Sequence, residues 1–273
     1  MTLRIALLQT NTGIDPRLEA VHLPTQIAKA AAQGAQIVFT PEMSGLLDRD
    51  RSRAQTQIAS EADDPVLAAV RQAAADHGVW VQLGSLALKG AGDKFVNRGF
   101  LIRPDGGIAA RYAKIHLFDV ALGSESWRES AAYDAGEEAV VAQTPWGGLG
   151  LTICYDVRFP ALHRALAEAG AALIAVPAAF TRPTGEAHWH VLLRARAIET
   201  GCWVIAAAQT GVHQDGRATY GHSLVVSPWG EVKLDMGETP GIGLCNIDPD
   251  EVTAARARIP ALQHARPFRM VQA

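Results

Sequence analysis

The chain has 273 residues, 48% apolar and 19% charged, with a formal net charge of −3 at neutral pH. That length holds a full hydrophobic core, and the balance is that of a globular chain, not a disordered one. The lack of a basic excess excludes non-specific nucleic-acid binding, and three widely spaced cysteines make neither a disulfide framework nor a zinc site.

The chain opens on an apolar run at Leu3–Gln9, a first strand. It is too short for a signal peptide, and no later run reaches transmembrane length. With free thiols suited to a reducing compartment, a soluble cytoplasmic protein without membrane or nucleic-acid partners is expected. Residues 17–33 read as an amphipathic helix stopped by Gly34, and residues 35–40 as a second buried strand that runs into Thr40-Pro41-Glu42. A helix over 65–77 is capped by Asp63 or Asp64 and closed by Gly78; a strand follows over 79–86. Residues 97–103 and 108–112 flank Pro104-Asp105-Gly106-Gly107, a hairpin signal. A long irregular stretch, 116–138, comes next, and loops of that length are usually functional.

The second half repeats the theme. Strands are predicted over 149–154, 172–177, 202–209, 222–227 and 242–247, and helices over 160–169, 186–200 and 250–258. No linker or low-complexity segment interrupts the chain, so residues 1–273 read as one domain. The alternation predicts an α/β fold with mixed sheets, and two halves of like content suggest two packed sheets with helices outside.

Cys154 stands out chemically. It ends an apolar run and opens Cys154-Tyr155-Asp156-Val157-Arg158-Phe159-Pro160, a polar turn that lifts the thiol from the core towards a positive charge. A cysteine nucleophile needs a proton acceptor and a group that stabilises an oxyanion. No histidine has a papain-like local context. Glu42 ends a buried strand, the place where open α/β sheets bind ligands, and partial burial would raise its pKa towards neutrality; on position alone it is equally a charge capping a strand. Lys114 ends another strand, where a lysine is more often solvated than catalytic.

Together, Thr-Pro-Glu42, Tyr-Ala-Lys114-Ile-His and Ile-Cys154-Tyr-Asp-Val-Arg-Phe-Pro resemble, in order and spacing, the Glu, Lys and Cys motifs of the nitrilase superfamily of carbon–nitrogen hydrolases. The resemblance runs over nearly the whole chain, to the Arg256-Ala257-Arg258-Ile259-Pro260 segment. The block at 184–199, with Ala206-Ala207-Ala208-Gln209, Tyr220-Gly221-His222-Ser223 and Pro228-Trp229-Gly230, resembles the branch that includes the deaminated-glutathione amidases and the ω-amidases, and looks more like the former.

The resemblance implies a four-layer α-β-β-α sandwich with two mixed sheets and no cofactor or metal. It implies a small carboxylate-bearing amide as substrate, cleaved to acid and ammonia, and a homodimer or higher homo-oligomer. By the same resemblance Cys154 forms a thioester, and Glu42 takes the thiol proton, passes it to the leaving amine and later activates water. Lys114 and the Tyr155 N–H stabilise the oxyanion, and Glu129 fixes Lys114. Arg158 would pair a substrate carboxylate, or else form a structural salt bridge with Asp156 or a neighbour. Thr184 would face the substrate, cap the helix that follows, or do both.

Two departures touch the substrate side. Ala161 stands where the branch commonly has Glu, and Asp134-Ala135-Gly136 replaces a Pro-Gly ending of the long loop. His188 and His190 are two apart and point to different faces, poor metal geometry. Cys202, Cys245, Trp146, Trp189 and Trp229 read as packing residues. The rival readings are a true nitrilase or N-carbamoyl hydrolase, separated by substrate, and an idle scaffold, which has no reason to keep Glu42, Lys114 and Cys154 together.

Overall fold

Runs of Val, Ile and Leu build the strands that lie deepest. In the computed structural model, which describes residues 2–122 and 125–272, the first half of the chain holds β1 (Leu3–Gln9), α1 (Pro16–Ala32), β2 (Ile37–Phe39), α2 (Arg51–Gln55), α3 (Pro65–His77), β3 (Trp80–Lys89), β4 (Phe95–Ile102) and β5 (Ile108–Ala113). The short strands β6 (Asp119–Leu122), β7 (Glu125–Arg128) and β8 (Tyr133–Asp134) follow. The second half holds β9 (Val140–Thr144), β10 (Gly147–Leu151), α4 (Pro160–Glu168), β11 (Ala171–Ala175), α5 (Arg182–Thr200) and β12 (Trp203–Ala206). It ends with β13 (Thr210–Val212), β14 (Ala218–Tyr220), β15 (Leu224–Val226), β16 (Val232–Asp235), β17 (Gly241–Ile247), α6 (Asp250–Arg258) and α7 (Ala261–His264).

One sheet has the order β17-β1-β2-β3-β4-β5, with β8 on β4; the other has the order β16-β15-β12-β11-β10-β9. In each, three parallel strands form the centre: β1, β2 and β3 in the first, β10, β11 and β12 in the second. Antiparallel neighbours flank both triads. Parallel strands are covered on both faces, which is why their sequences are unbroken apolar runs.

Strand alternation sorts the layers. Leu3, Ile5 and Leu7 pack with Leu149, Leu151 and Leu173 between the sheets. Their neighbours Ala6 and Leu8 pack under Leu23 and Ile27 of α1 and Val66 and Val70 of α3. Leu162 and Leu166 of α4, with Trp189 and Leu193 of α5, cover the second sheet. The result is the expected α-β-β-α sandwich. Each of these buried Leu, Ile and Val side chains contributes about 1.5–3 kcal/mol.

The helix ends follow local chemistry. Asp64 caps α3 by accepting from the Leu67 N–H at 2.8 Å, and Gly78 closes it in the left-handed region at φ 63°.

Three expectations need correcting. The segment 116–138 is not irregular throughout: β6 and β7 form a hairpin and β8 joins the first sheet. These strands are short and partly exposed, so they lack the apolar run that would mark them; residues 123–124 lie outside the described residues. The strand expected to reach Cys154 ends at Leu151, and Cys154 begins a 3-10 turn with φ 49°. The helix expected from 186 starts at Arg182 because Pro183 is accommodated in its first turn.

Candidate active site

Three strand ends meet between the sheets. Glu42 follows β2, Lys114 follows β5, and Cys154 lies three residues beyond β10. All are buried, with exposures of 4%, 2% and 7%. The turn carrying Glu42 is held tightly. Ser44 Oγ donates to the Pro41 carbonyl at 2.7 Å, and the Gly84 N–H donates to Thr40 Oγ1 at 2.9 Å. A Cβ on Gly84 would lie 2.1 Å from the Thr40 carbonyl oxygen, so only glycine lets β3 pass. Met43 and Cys154 both adopt left-handed backbone, φ 54° and 49°, at a cost of about 1–2 kcal/mol each. Such outliers cluster where surrounding structure aims a functional side chain.

Lys114 Nζ donates to Glu42 Oε1 at 2.8 Å and to Glu129 Oε2 at 2.9 Å. Asn97 Nδ2 bridges the same two carboxylates, at 2.9 Å to Glu42 and 3.3 Å to Glu129. The Ala179 N–H donates to the other Glu42 oxygen at 2.9 Å, and the Phe118 N–H to Glu129 Oε2 at 2.7 Å. Gln209 Nε2 fixes the Glu42 carbonyl at 3.0 Å. The Cys154 thiol lies beside the Glu42 carboxylate and feels its charge.

The charge states follow from this packing. Burial pushes the Glu42 carboxyl up, but Lys114 beside it, with hydrogen bonds from Lys114 and Asn97, brings it below the usual carboxylate value. The expectation of a raised Glu42 pKa is therefore corrected: the charged partner outweighs desolvation. Burial would lower the Lys114 pKa, but Glu129 and Glu42 hold it well above the usual lysine value. Burial and Glu42 push the Cys154 thiol well up, against the pull of Lys114. The resting site is a neutral thiol beside an ionised carboxylate and an ammonium.

Asp156 ties the thiol turn to the lysine strand. It is fully buried and accepts from the Tyr112 hydroxyl at 2.7 Å, the Ile153 N–H at 2.8 Å and the His116 N–H at 3.1 Å. His116 Nδ1 lies 2.7 Å from it, and that ring stacks on Phe159 at 3.5 Å. Tyr112 and His116 flank Lys114, so one carboxylate sets the distance between Cys154 and Lys114. Gly136 presses on the same place: its N–H donates to the Lys114 carbonyl at 2.8 Å, and a Cβ there would meet the Ala113 oxygen at 2.2 Å. No described residue accepts from the Tyr155 N–H, which stays available as a donor beside Cys154.

A cleft of about 640 Å³ opens onto these groups, a size that suits a small ligand. Glu42, Lys114, Glu129, Cys154, Tyr155 and Thr184 all line it. Thr184 is not the helix cap: Thr181 holds that place, and the two hydroxyls lie 2.8 Å apart. Arg158 does not line the cleft. It sits behind the wall, over the rings of Tyr155 at 5.9 Å and Phe180 at 5.4 Å, and both of those rings do line it. Its recorded polar partner is His188 at 3.3 Å, not Asp156.

Asn97, Asp156 and Gln209 had no role at the site assigned from the sequence, although Asp156 and Gln209 stand in its motifs. Asn97 carried one signal, an amide within an otherwise strand-like run. His190, set aside with His188, instead shares the Asp235 carboxylate with His222, at 3.0 and 2.9 Å. Trp229, read as packing, is half exposed under Arg258, and Cys245 is only half-buried.

A thiol, a carboxylate and an ammonium brought together by two sheets of a four-layer sandwich define a thiol-dependent hydrolase. The chain belongs to the carbon-nitrogen hydrolase family, whose profile matches residues 4–257. It is 40% identical over 266 residues to the deaminated glutathione amidase of Yersinia enterocolitica, covering 96% of this chain and 92% of that one. The crystal structure of the C. elegans NitFhit protein matches with a TM-score of 0.90 at 37% identity, over 97% of this chain and 65% of that longer one. A mutant of the amidase from Nesterenkonia sp. AN1, showing covalent addition of the acetamide moiety of fluoroacetamide at its active site cysteine, matches with a TM-score of 0.80 at 29% identity. That match covers 97% of this chain and 94% of that one. Among the described residues, no helix is long and apolar enough to cross a membrane.

Proposed function

We propose that this enzyme hydrolyses deaminated glutathione through a thioester on Cys154. The observation that carries the chemistry is the pairing of Lys114 with both Glu42 and Glu129, at 2.8 and 2.9 Å, beside the Cys154 thiol; the substrate is proposed from the similarity to deaminated glutathione amidases. Cys154 Sγ attacks the amide carbonyl as Glu42 takes its proton. The oxyanion forms between Lys114 Nζ and the Tyr155 N–H, and such donors are each worth about a hundredfold to a thousandfold in rate. Glu42 passes the proton to the departing nitrogen, the C–N bond breaks, and the acyl group stays on sulfur. Glu42 then deprotonates a water that attacks the thioester, which releases the acid and returns the thiol.

Glu129 and Asn97 position Lys114, and Lys114 and Asn97 keep Glu42 ionised. Thr184 faces the acyl part of the substrate, and Arg158, which does not line the cleft, backs the Tyr155 and Phe180 rings that do. The amide nitrogen of deaminated glutathione belongs to a cysteine residue, so the product is an amine and not the ammonia expected from a simple amide. One catalytic domain over residues 1–273, assembled as a homodimer in the cytoplasm, completes the proposal; a monomer in light scattering would overturn the dimer.

The test is a substrate panel on the purified protein: deaminated glutathione, 2-oxoglutaramate, 2-oxosuccinamate, a simple nitrile and an N-carbamoyl amino acid. Deaminated glutathione is expected to give the highest kcat/KM. A preference for the two primary amides would replace the reading with an ω-amidase, and a preference for the nitrile or carbamoyl compound with those activities. No turnover of any compound would leave the scaffold reading.

A further inference from the structure

Two hydrogen-bond donors in the cleft wall have no acceptor among the described residues. Arg217 and Trp127 both line the cleft, Arg217 from the turn between β13 and β14 and Trp127 from β7, two residues before Glu129. Arg217 Nε and Trp127 Nε1 are each buried without a hydrogen-bond partner among the described residues. The two side chains are in contact, with the guanidinium 5.1 Å from the Trp127 ring centroid. An unmet buried donor costs about 1–3 kcal/mol. Two in contact, on the wall of a ligand-sized cleft, point to an acceptor that arrives with a ligand.

The acceptor is an anion. Arg217 has one ion-pair partner among the described residues, Asp215 at 3.5 Å, and its charge also acts on Asp48. The Asp215 carboxylate is already occupied, accepting from the backbone N–H of Arg49 at 2.8 Å and of Arg217 itself at 2.9 Å. Beyond the reacting groups, the charged side chains lining the cleft are five basic against two acidic. One of those two, Asp48, is taken up by Arg53 at 2.6 Å, and one of the five, Lys94, lies 3.8 Å from Asp134. The surplus is positive. Arg217 also lies close to the chemistry: its charge acts on Tyr133, which feels Glu129, Lys114 and Glu42 as well.

We propose that Arg217 and Trp127 form an anchor for a second substrate carboxylate, separate from the one on the acyl side near Thr184. The guanidinium and the indole N–H donate to the carboxylate oxygens. The cleft then selects amides that carry an anion on both sides of the scissile bond, in which the departing amine bears a carboxylate, over amides with a single carboxylate. This rests on the reading of the cleft as an amide hydrolase site.

The experiment compares deaminated glutathione with the same compound whose glycine carboxylate is converted to a carboxamide. Wild-type enzyme is expected to favour the free carboxylate in kcat/KM. In Arg217→Met that preference falls about tenfold to a hundredfold, the size of a charge-assisted hydrogen bond, and the loss appears in KM. Arg217→Lys restores part of it. Trp127→Phe keeps the ring under Arg217 and removes only the donor, so it lowers the preference by a smaller factor even if Arg217→Met fails to fold. Wild-type enzyme that turns over both compounds equally, or a preference unchanged in Arg217→Lys and Trp127→Phe, overturns the anchor and leaves the amidase reading intact. Wild-type enzyme that turns over neither overturns both.

Discussion

Replacing Lys114 with Met tests whether the centre of the site is an electrostatic unit. The ammonium is buried at 2.8 and 2.9 Å from two carboxylates that are themselves nearly enclosed. At an effective dielectric near 20, each contact is worth roughly 6 kcal/mol before desolvation. Removing three ions from water offsets most of that, and breaking a buried ion pair by deleting one partner costs about 3–5 kcal/mol. Lys114→Met is expected to lose about that much stability at neutral pH, together with its activity. The pH dependence gives the sign. In the native protein Glu42 lies below its ordinary pKa, so its contribution is present at neutral pH and lost as pH falls through the folded value. Without Lys114, burial dominates and the carboxyl rises above its ordinary value. The variant then loses stability as pH rises through the ordinary carboxyl range. Urea unfolding of both proteins between pH 4 and 8 should show the stability gap closing on acidification. Adding Glu129→Gln to the variant should recover part of the loss at neutral pH, because one stranded charge is gone. A Lys114→Met protein as stable as native at pH 7, or a gap that does not change with pH, would refute the reasoning.

Glu42→Gln should lower amide turnover by about a hundredfold to ten-thousandfold, the range of a general base. Glu42 raises the Cys154 thiol and Lys114 lowers it, so the same variant should shift the pH midpoint of Cys154 alkylation downwards, read by mass spectrometry after iodoacetamide labelling. Asp156→Asn removes an acceptor shared by Tyr112, Ile153 and His116 and should cost about 1–3 kcal/mol in thermal or urea unfolding, with kcat falling more than KM changes. Gly84→Ala places a methyl 2.1 Å from the Thr40 carbonyl, a backbone atom that cannot swing away. It should destabilise the protein by about 3 kcal/mol or more, near the top of the range for overpacking, and yield far less soluble protein.

The central strands and the long helices were legible because their signals are local. An unbroken apolar run at Leu3–Gln9, Pro and Gly punctuation around 65–77, and helical periodicity near 190 each depend on a few neighbouring residues. Strand-end motifs also gave Glu42, Lys114 and Cys154. What stayed hidden depends on contacts across the fold. Asn97 matters because β4 places it between Glu42 and Glu129, residues 55 and 32 positions away in sequence. Asp156 looked like a partner for Arg158, two residues on; tertiary packing gave it to Tyr112 and His116 instead. The Glu42 pKa was misjudged for the same reason. Burial was legible from the strand, but the ammonium that outweighs it comes from another strand. The hairpin of β6 and β7 has little apolar patterning, because its strands pair only with each other.

The thioester on Cys154 is the central claim, and it has a direct readout. Native enzyme mixed with excess deaminated glutathione, quenched in acid during steady turnover and digested, is expected to show the acyl group on the peptide that contains Cys154. Cys154→Ala, folded by circular dichroism, is expected to show neither adduct nor turnover. Hydrolysis that continues in Cys154→Ala, or an acyl group found on another residue, would contradict the account.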